Sequence, residues 1–208
     1  HMLDHMGDDA EIVRRARVCY QSQEKSTPES DLRLLKKLVS SKPLHGTTIR
    51  GVAFTFDVVA PQFCLRQWTR HLIGIDAHGN DVWYTGSDSF DEGASFDEQS
   101  FRYTDKIQFY IPEGESRAAY LYMSKDQLVN YNMLREYGEP KERARFALGS
   151  NVYSQMTWSI NGQGVLDWCG KRLPGGGAQS ETSKYAEAVL RCVRAIIPET
   201  VKIWESEQ

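Results

Sequence analysis

The four cysteines, Cys19, Cys64, Cys169 and Cys192, are scattered along the chain. No two form a C-x-x-C pair, and their spacing suits neither a zinc site nor a small disulfide framework. They read as buried free thiols, which fits a cytoplasmic setting. No apolar run approaches the roughly 20 residues that a membrane span requires. No basic segment followed by an apolar stretch opens the chain, so the N-terminus does not read as a secretory leader, and His1-Met2 reads as a cloning scar. H-E-x-x-H is missing, which argues against a metal enzyme, and G-x-S-x-G is missing, which argues against a serine hydrolase. Gly162-Gln163-Gly164 lacks the third glycine of a dinucleotide fingerprint, because position 167 is Asp. Gly175-Gly176-Gly177 is not followed by the Lys-Ser or Lys-Thr of a phosphate loop.

Positive charge is absent from residues 72–99, which carry seven acids (Asp76, Asp81, Asp88, Asp91, Glu92, Asp97 and Glu98) and four glycines. The whole chain has a net charge of −3, so the rest stands at +4. The total excludes a general nucleic-acid binder, while a mildly basic body suits a small anionic ligand such as a nucleotide. The acidic segment reads as a loop, with a hairpin around His78-Gly79-Asn80. Its Trp83, Tyr84, Phe90 and Phe96 give it an apolar side able to close over a ligand.

What is present is an ordinary globular composition, 40% hydrophobic and 25% charged over 208 residues, enough for a core without disulfides. Residues 11–20 read as a short helix or a strand lead-in. A helix is predicted from Pro28, with Leu32, Leu35 and Val39 at helical spacing. Residues 50–59 alternate as a strand, with Phe54, Phe56 and Val58 on one face, and Pro61 opens a helix. Residues 100–111 look extended. Helices are predicted over Asp126–Tyr137, Lys141–Leu148, 154–171 and 179–196, the last with Tyr185, Val189, Cys192, Val193 and Ile196 along one face. The expectation is an α/β (α+β) fold, a mixed central sheet packed by helices, in one domain over 1–208 with the acidic insertion at 72–99.

Four groups of residues could carry chemistry. On a helix, Gln67, Arg70 and His71 share a face, with Cys64 and Trp68 toward the core. Such a trio suits an anion or a heteroaromatic ring, or is simply a solvated face. In an extended segment, Glu98, Ser100 and Arg102 point one way, and Phe101 and Tyr103 point toward the core. An Arg beside a Ser hydroxyl is a phosphate clamp, or one half of a structural Glu–Arg pair. Lys141, Arg143 and Arg145 offer three cations that a helix cannot converge on one point. Lys171 has Asp167 four residues before it, whereas Arg172 lacks such a partner in sequence.

Taken in order, APQFCLRQWTRH, EQSFRYTDKIQFYIP, ERARFALGSNVYSQMTWSIN and AQSETSKYA resemble the signature segments of the flavin-dependent thymidylate synthases. The resemblance runs from about Ala16 to the C-terminal helix. It implies a mixed α/β homotetramer, with active sites between subunits, that methylates C5 of a uridine monophosphate. FAD, NADPH and methylenetetrahydrofolate would be the cofactors and donors. It further implies nucleotide contacts at Gln67, Arg70, Glu98, Ser100, Phe101, Arg102, Arg145 and Arg172. Arg102 and Arg145 would serve the phosphate, and Arg172 the uracil ring as the catalytic residue. His71, Asn161, Gln163 and Asp167 fall on the cofactor side, and no metal is implied.

The chain departs from the family pattern at several positions. Leu72 replaces the second Arg of Arg-His-Arg, and 27 residues instead of seven separate it from Ser100. Gly51 stands where a flavin-side His is expected, Gln163 where an Arg is, and Asp167 where an Asn is. Such a pattern suits a paralogue of the antibiotic-pathway type that accepts UMP as well as dUMP. It also suits a nucleotide- or flavin-binding homologue without methyl transfer, or an oxidase that only consumes NADPH.

Overall fold

The structure, a computed structural model, describes residues 1–41, 44–69, 74–75, 81–82, 94–104 and 106–208. The chain divides into two compact units. One comprises His1–Asp57, Arg70–Phe96 and Thr157–Gln208, the other Val58–Thr69 and Asp97–Met156. The mixed α/β class expected from the sequence is observed: a four-stranded sheet in the order β1-β2-β6-β5, formed by β1 (Met2–Met6), β2 (Ala53–Pro61), β5 (Ala94–Glu98) and β6 (Tyr153–Asn161), together with helices. A separate antiparallel pair, β3 (Gly74–Ile75) and β4 (Asp81–Val82), brackets residues 76–80. The turn expected at His78-Gly79-Asn80, and most of the acidic insertion with its proposed closing action, lie outside the described residues.

In the first unit, β1 pairs antiparallel with β2, His5 opposite Phe54 and Met6 opposite Ala53. β1 is therefore an edge strand of the sheet. Phe54 and Phe56 of β2 are buried, as their alternation requires. Trp158 of β6 is the centre of the aromatic core, its ring 5.4 Å from Phe56, 6.3 Å from Phe96 and 5.2 Å from Trp168.

The helix expected over 154–171 is corrected here. Residues Tyr153–Asn161 are strand, with Ser154, Met156, Trp158 and Ile160 buried in alternation, and helix α7 (Gly162–Arg172) begins only afterwards. The physical reason is the period of two in large apolar residues, which overrides the helical pattern until Asn161 caps the helix.

Helices α1 (Asp9–Cys19), α2 (Pro28–Val39), the short α3 (Gly46–Ile49), α8 (Ser180–Ile196) and α9 (Pro198–Ser206) complete this unit. α2 starts where Pro28 predicts, behind a Thr27–Ser30 capping box. Buried Arg17 of α1 donates through Nε to Asp31 Oδ1 (2.7 Å) and through Nη2 to Ser30 Oγ (2.7 Å), tying α1 to α2. Among the described residues, no helix is long and apolar enough to cross a membrane.

The second unit holds α4 (Gln62–Thr69), α5 (Arg117–Glu136) and α6 (Lys141–Ala144), the last followed by a 3-10 turn at Arg145–Ala147. Cys64, Leu65 and Trp68 of α4 are buried, the core face its sequence suggested. Its first turn is pinned by Gln62 N–H to Val152 O and Phe63 N–H to Ser150 O, each 2.9 Å. α5 begins at Arg117, well before the expected Asp126. The extended reading of 100–111 is also corrected. β5 ends at Glu98 and Phe101–Tyr103 form a turn closed by Tyr103 N–H to Ser100 O (3.0 Å), while further on Phe109 bridges Val152 with Gln108 and Tyr110 bonded on either side. A serine hydroxyl able to bond the backbone two residues on favours a turn over a strand.

Candidate functional site

In the second unit the Ser–Arg pair forms on that turn. Ser100 Oγ accepts from Arg102 Nε at 3.2 Å and from Arg102 N at 3.4 Å. Phe101 is 4% exposed and anchors the turn, while Tyr103 is 76% exposed, so the two rings part instead of sharing a core-facing side. The Arg102 guanidinium lies 5.0 Å from the Tyr103 ring centroid, a cation–π contact that leaves its outer edge toward solvent. Glu98 is exposed at the end of β5, and Gln67 is half-buried on α4. Arg70 and His71 lie outside the described residues.

The basic run separates as its spacing demanded. Arg143 pairs with Glu139 at 3.5 Å, whereas Arg145 is exposed on the 3-10 turn and donates through Nε to Glu142 O at 3.2 Å. The outer nitrogens of Arg102 and Arg145 are therefore presented to solvent by turns, in a form able to receive a phosphate.

In the first unit the candidate residues gather at the strand–helix junction. Asn161 is the N-cap of α7, its Oδ1 accepting from Gly164 N at 2.8 Å. Gly162 N–H donates to Val52 O at 2.7 Å, and a Cβ on Gly162 would come 2.6 Å from Ile49 O, so only glycine allows this approach. Gln163 is 3% exposed, and its Oε1 accepts from Arg50 Nε at 2.7 Å. A Cβ at Gly46 would lie 1.7 Å from that same oxygen, so Gly46 provides the space for the amide.

Gly51, which stands where a histidine is expected, has the Arg15 side chain over it; a Cβ there would be 2.2 Å from Arg15 Nε. Two of the positions that depart from the family pattern thus lie beside a guanidinium, Gly51 under Arg15 and Gln163 under Arg50. Arg50 was missed by sequence reasoning. The sole signal was a cation beside an unexpected glycine in IRGVAF, and its partner is 113 residues away. Asp167 and Arg172 are half-buried on α7, Arg172 at its C-terminal end.

The expectation of buried thiols holds for Cys64 and Cys169, whereas Cys19 is exposed and Cys192 half-buried. Burial pushes the Cys169 thiol far above its ordinary value, and Cys64 is buried as well. A cavity of about 450 Å³ opens among α1, α2 and the start of α9, lined in part by Val13, Arg17, Leu32, Leu35 and Glu199. None of the candidate residues lines it, and its buried Arg17 is already paired with Asp31. Among the described residues, no three His, Cys, Asp or Glu side chains gather as a metal site would need.

The model of the family described as thymidylate synthase complementing protein matches residues 1–199. The flavin-dependent thymidylate synthase of Thermosipho africanus is 31% identical over 222 residues, covering 96% of this chain and 87% of that protein. That of Thermotoga neapolitana is 30% identical over 211 residues, with coverage of 96% and 87%. Among solved structures, the UMP/dUMP methylase PolB from Streptomyces cacaoi bound with 5-Br dUMP is similar, with a TM-score of 0.80 at 21% identity over 99% of this chain and 94% of that one. The same protein bound with 5-Br UMP gives a TM-score of 0.76 at 21% identity, over 100% and 93%. At this identity the two structures establish the fold.

Proposed function

The chain belongs to the thymidylate synthase complementing protein family, that of the flavin-dependent thymidylate synthases, and from that premise we propose that it methylates C5 of a uridine monophosphate, UMP, dUMP or both. The observation that carries this reading is the Ser100–Arg102 pair on an exposed turn anchored by buried Phe101. The Ser100 hydroxyl orients the Arg102 guanidinium, and Arg102 and Arg145 bind the phosphate as charge-assisted donors. Glu98, an acceptor that would repel phosphate, serves a sugar hydroxyl. Gln67 and Arg70 belong to the same nucleotide set.

C5 of uracil is a poor nucleophile. Arg172 opposes the negative charge that builds on the N3/O4 edge as C5 attacks, a preorganised electrostatic contribution that needs no enzyme thiol. The carbon comes from methylenetetrahydrofolate and the hydride chemistry is that of FAD reduced by NADPH.

The residues present suit an anionic dinucleotide. Asn161 and exposed Arg50, braced by buried Gln163, would hold FAD on the first unit, with Asp167 and His71 assigned to the same side. Arg15 is paired with Glu11, so the positive charge offered at the departing positions is that of Arg50 beside Gln163, which favours a retained flavin over a loss of cofactor.

The test is turnover of UMP and dUMP under identical conditions with FAD, NADPH and labelled methylenetetrahydrofolate. Label in the base supports the proposal, and preference for UMP supports the antibiotic-pathway setting. NADPH consumption without labelled product makes the chain an oxidase. A colourless protein that binds nucleotide makes it a binder. The homotetramer belongs to the same reading and is checked by sedimentation.

A further inference from the structure

α5 makes an unusual contact with the segment that follows Arg145. Of its 20 residues only Ser124 and Tyr131 are buried, while Leu121, Met123 and Val129 are exposed. Apolar packing therefore does little to fix where this helix meets its neighbours. Hydrogen bonds do it instead, from Ser124 and Gln127, which share a face of the helix at a spacing of three. Gln127 Oε1 accepts from Gly149 N–H at 2.6 Å. Two residues on, Asn151 Nδ2 donates to Ser124 Oγ at 3.0 Å and to Tyr110 O at 3.3 Å. The Ser124 hydroxyl donates in turn to Tyr120 O at 2.8 Å.

Gly149 sits between two pieces of backbone. Before it, the 3-10 turn at Arg145–Ala147 closes with Leu148 N–H to Arg145 O at 3.0 Å. After it, Val152 N–H returns to Gly149 O at 3.2 Å as the chain enters β6. A Cβ on Gly149 would lie 2.9 Å from both amide atoms of Gln127, so the glycine is what lets the amide come this close. Arg145 itself is exposed, and among the described residues its guanidinium donates only to Glu142 O. The position of Arg145 thus depends on its backbone turn, and the turn depends on the helix behind it.

We propose that Gln127 is a positioning residue for the phosphate-binding turn: by holding the Gly149 N–H it sets where Arg145 presents its guanidinium. The inference rests on the reading of Arg145 as a phosphate ligand. One hydrogen bond has a modest net worth, so its loss should weaken nucleotide binding without unfolding an otherwise intact helix.

The test is calorimetric titration of the full chain with UMP, dUMP and uridine, alongside kcat at saturating nucleotide. Gln127→Met keeps the shape and removes the acceptor. It should raise the Kd for the accepted nucleotide about threefold to tenfold, with the uridine Kd and kcat little changed. Gln127→Glu restores an acceptor oxygen and should return the Kd to near the parent value. Arg145→Ala is run in parallel. If it raises the Kd for the nucleotide and not for uridine, while Gln127→Met changes nothing, the inference is wrong and the reading of Arg145 stands. A Gln127→Met that weakens uridine equally, or lowers kcat in step with affinity, makes the residue merely structural. If Arg145→Ala itself shows no dependence on the phosphate, the reading of Arg145 fails and the inference goes with it.

Discussion

The two units hold their candidate residues in different ways. In the first, Asn161 and Gln163 sit at a strand–helix junction that is locked by backbone, with Gly162 N–H on Val52 O and no room for a Cβ. The aromatic cluster around Trp158 lies on the strand that leads into it. In the second, Arg102 and Arg145 ride on exposed turns: buried Phe101 anchors the first and Ser100 bonds the Arg102 guanidinium, and Gln127 stands behind the stretch after the other. A residue at a packed junction takes its position from core burial, whereas a residue on a turn takes it from individual hydrogen bonds. Changes in the first unit should therefore register mainly as stability, and changes in the second as affinity.

The largest effect expected is on the core side of that contrast. Trp158→Ala removes a fully buried ring and should cost about 3–5 kcal/mol in unfolding free energy by urea titration. A loss below about 1 kcal/mol would mean that the aromatic cluster does not govern this unit.

Arg172 is the exception, a first-unit residue at a helix end whose proposed role is chemical. Arg172→Ala should lower methyl transfer by a factor on the order of 10²–10³ with the melting temperature unchanged. Near-parent turnover by the folded variant would remove it from the mechanism.

Arg145→Ala represents the second unit. Its exposed side chain predicts an unchanged melting temperature and a loss of about 1.5–3 kcal/mol in nucleotide binding, much smaller for uridine. Equal losses for nucleoside and nucleotide would show that Arg145 is structural and would erase the contrast.

The smallest effect is electrostatic. The Glu11 carboxyl is brought from 4.5 down to about 2, first by the hydrogen bond from Arg14, opposed by partial desolvation, and further by Arg15. A carboxylate that is more acidic in the folded state stabilises the fold above its unfolded value, and that stability is lost as the pH falls through the folded one. Thermal unfolding followed from about pH 4.5 down to about pH 2 should show a shallow acid-side decline, and Glu11→Gln should flatten it. An unaltered profile in the variant would assign the decline to other carboxylates.

Sequence by itself determined whatever depends on local period and local chemistry. The alternation of Phe54 and Phe56, the start of α2 at Pro28 and the buried face of Cys64 and Trp68 on α4 each need only near neighbours to be decided. The Ser–Arg pair was readable for the same reason, since one residue separates its partners. The reading failed where two periods competed, over 153–161, and where a serine hydroxyl turned an extended segment at 100–103.

Tertiary structure alone decided the pairings between distant segments. Asp9 at the start of α1 caps α9, its carboxylate accepting from Glu199 N at 2.8 Å and Thr200 N at 3.1 Å, across 190 residues. Arg50 reaches Gln163, Arg15 fills the space beside Gly51, and Gln127 finds Gly149. A single sequence carries no signal for such contacts. A buried amide or carboxylate must find a partner somewhere, but which partner it finds is settled only when the chain packs.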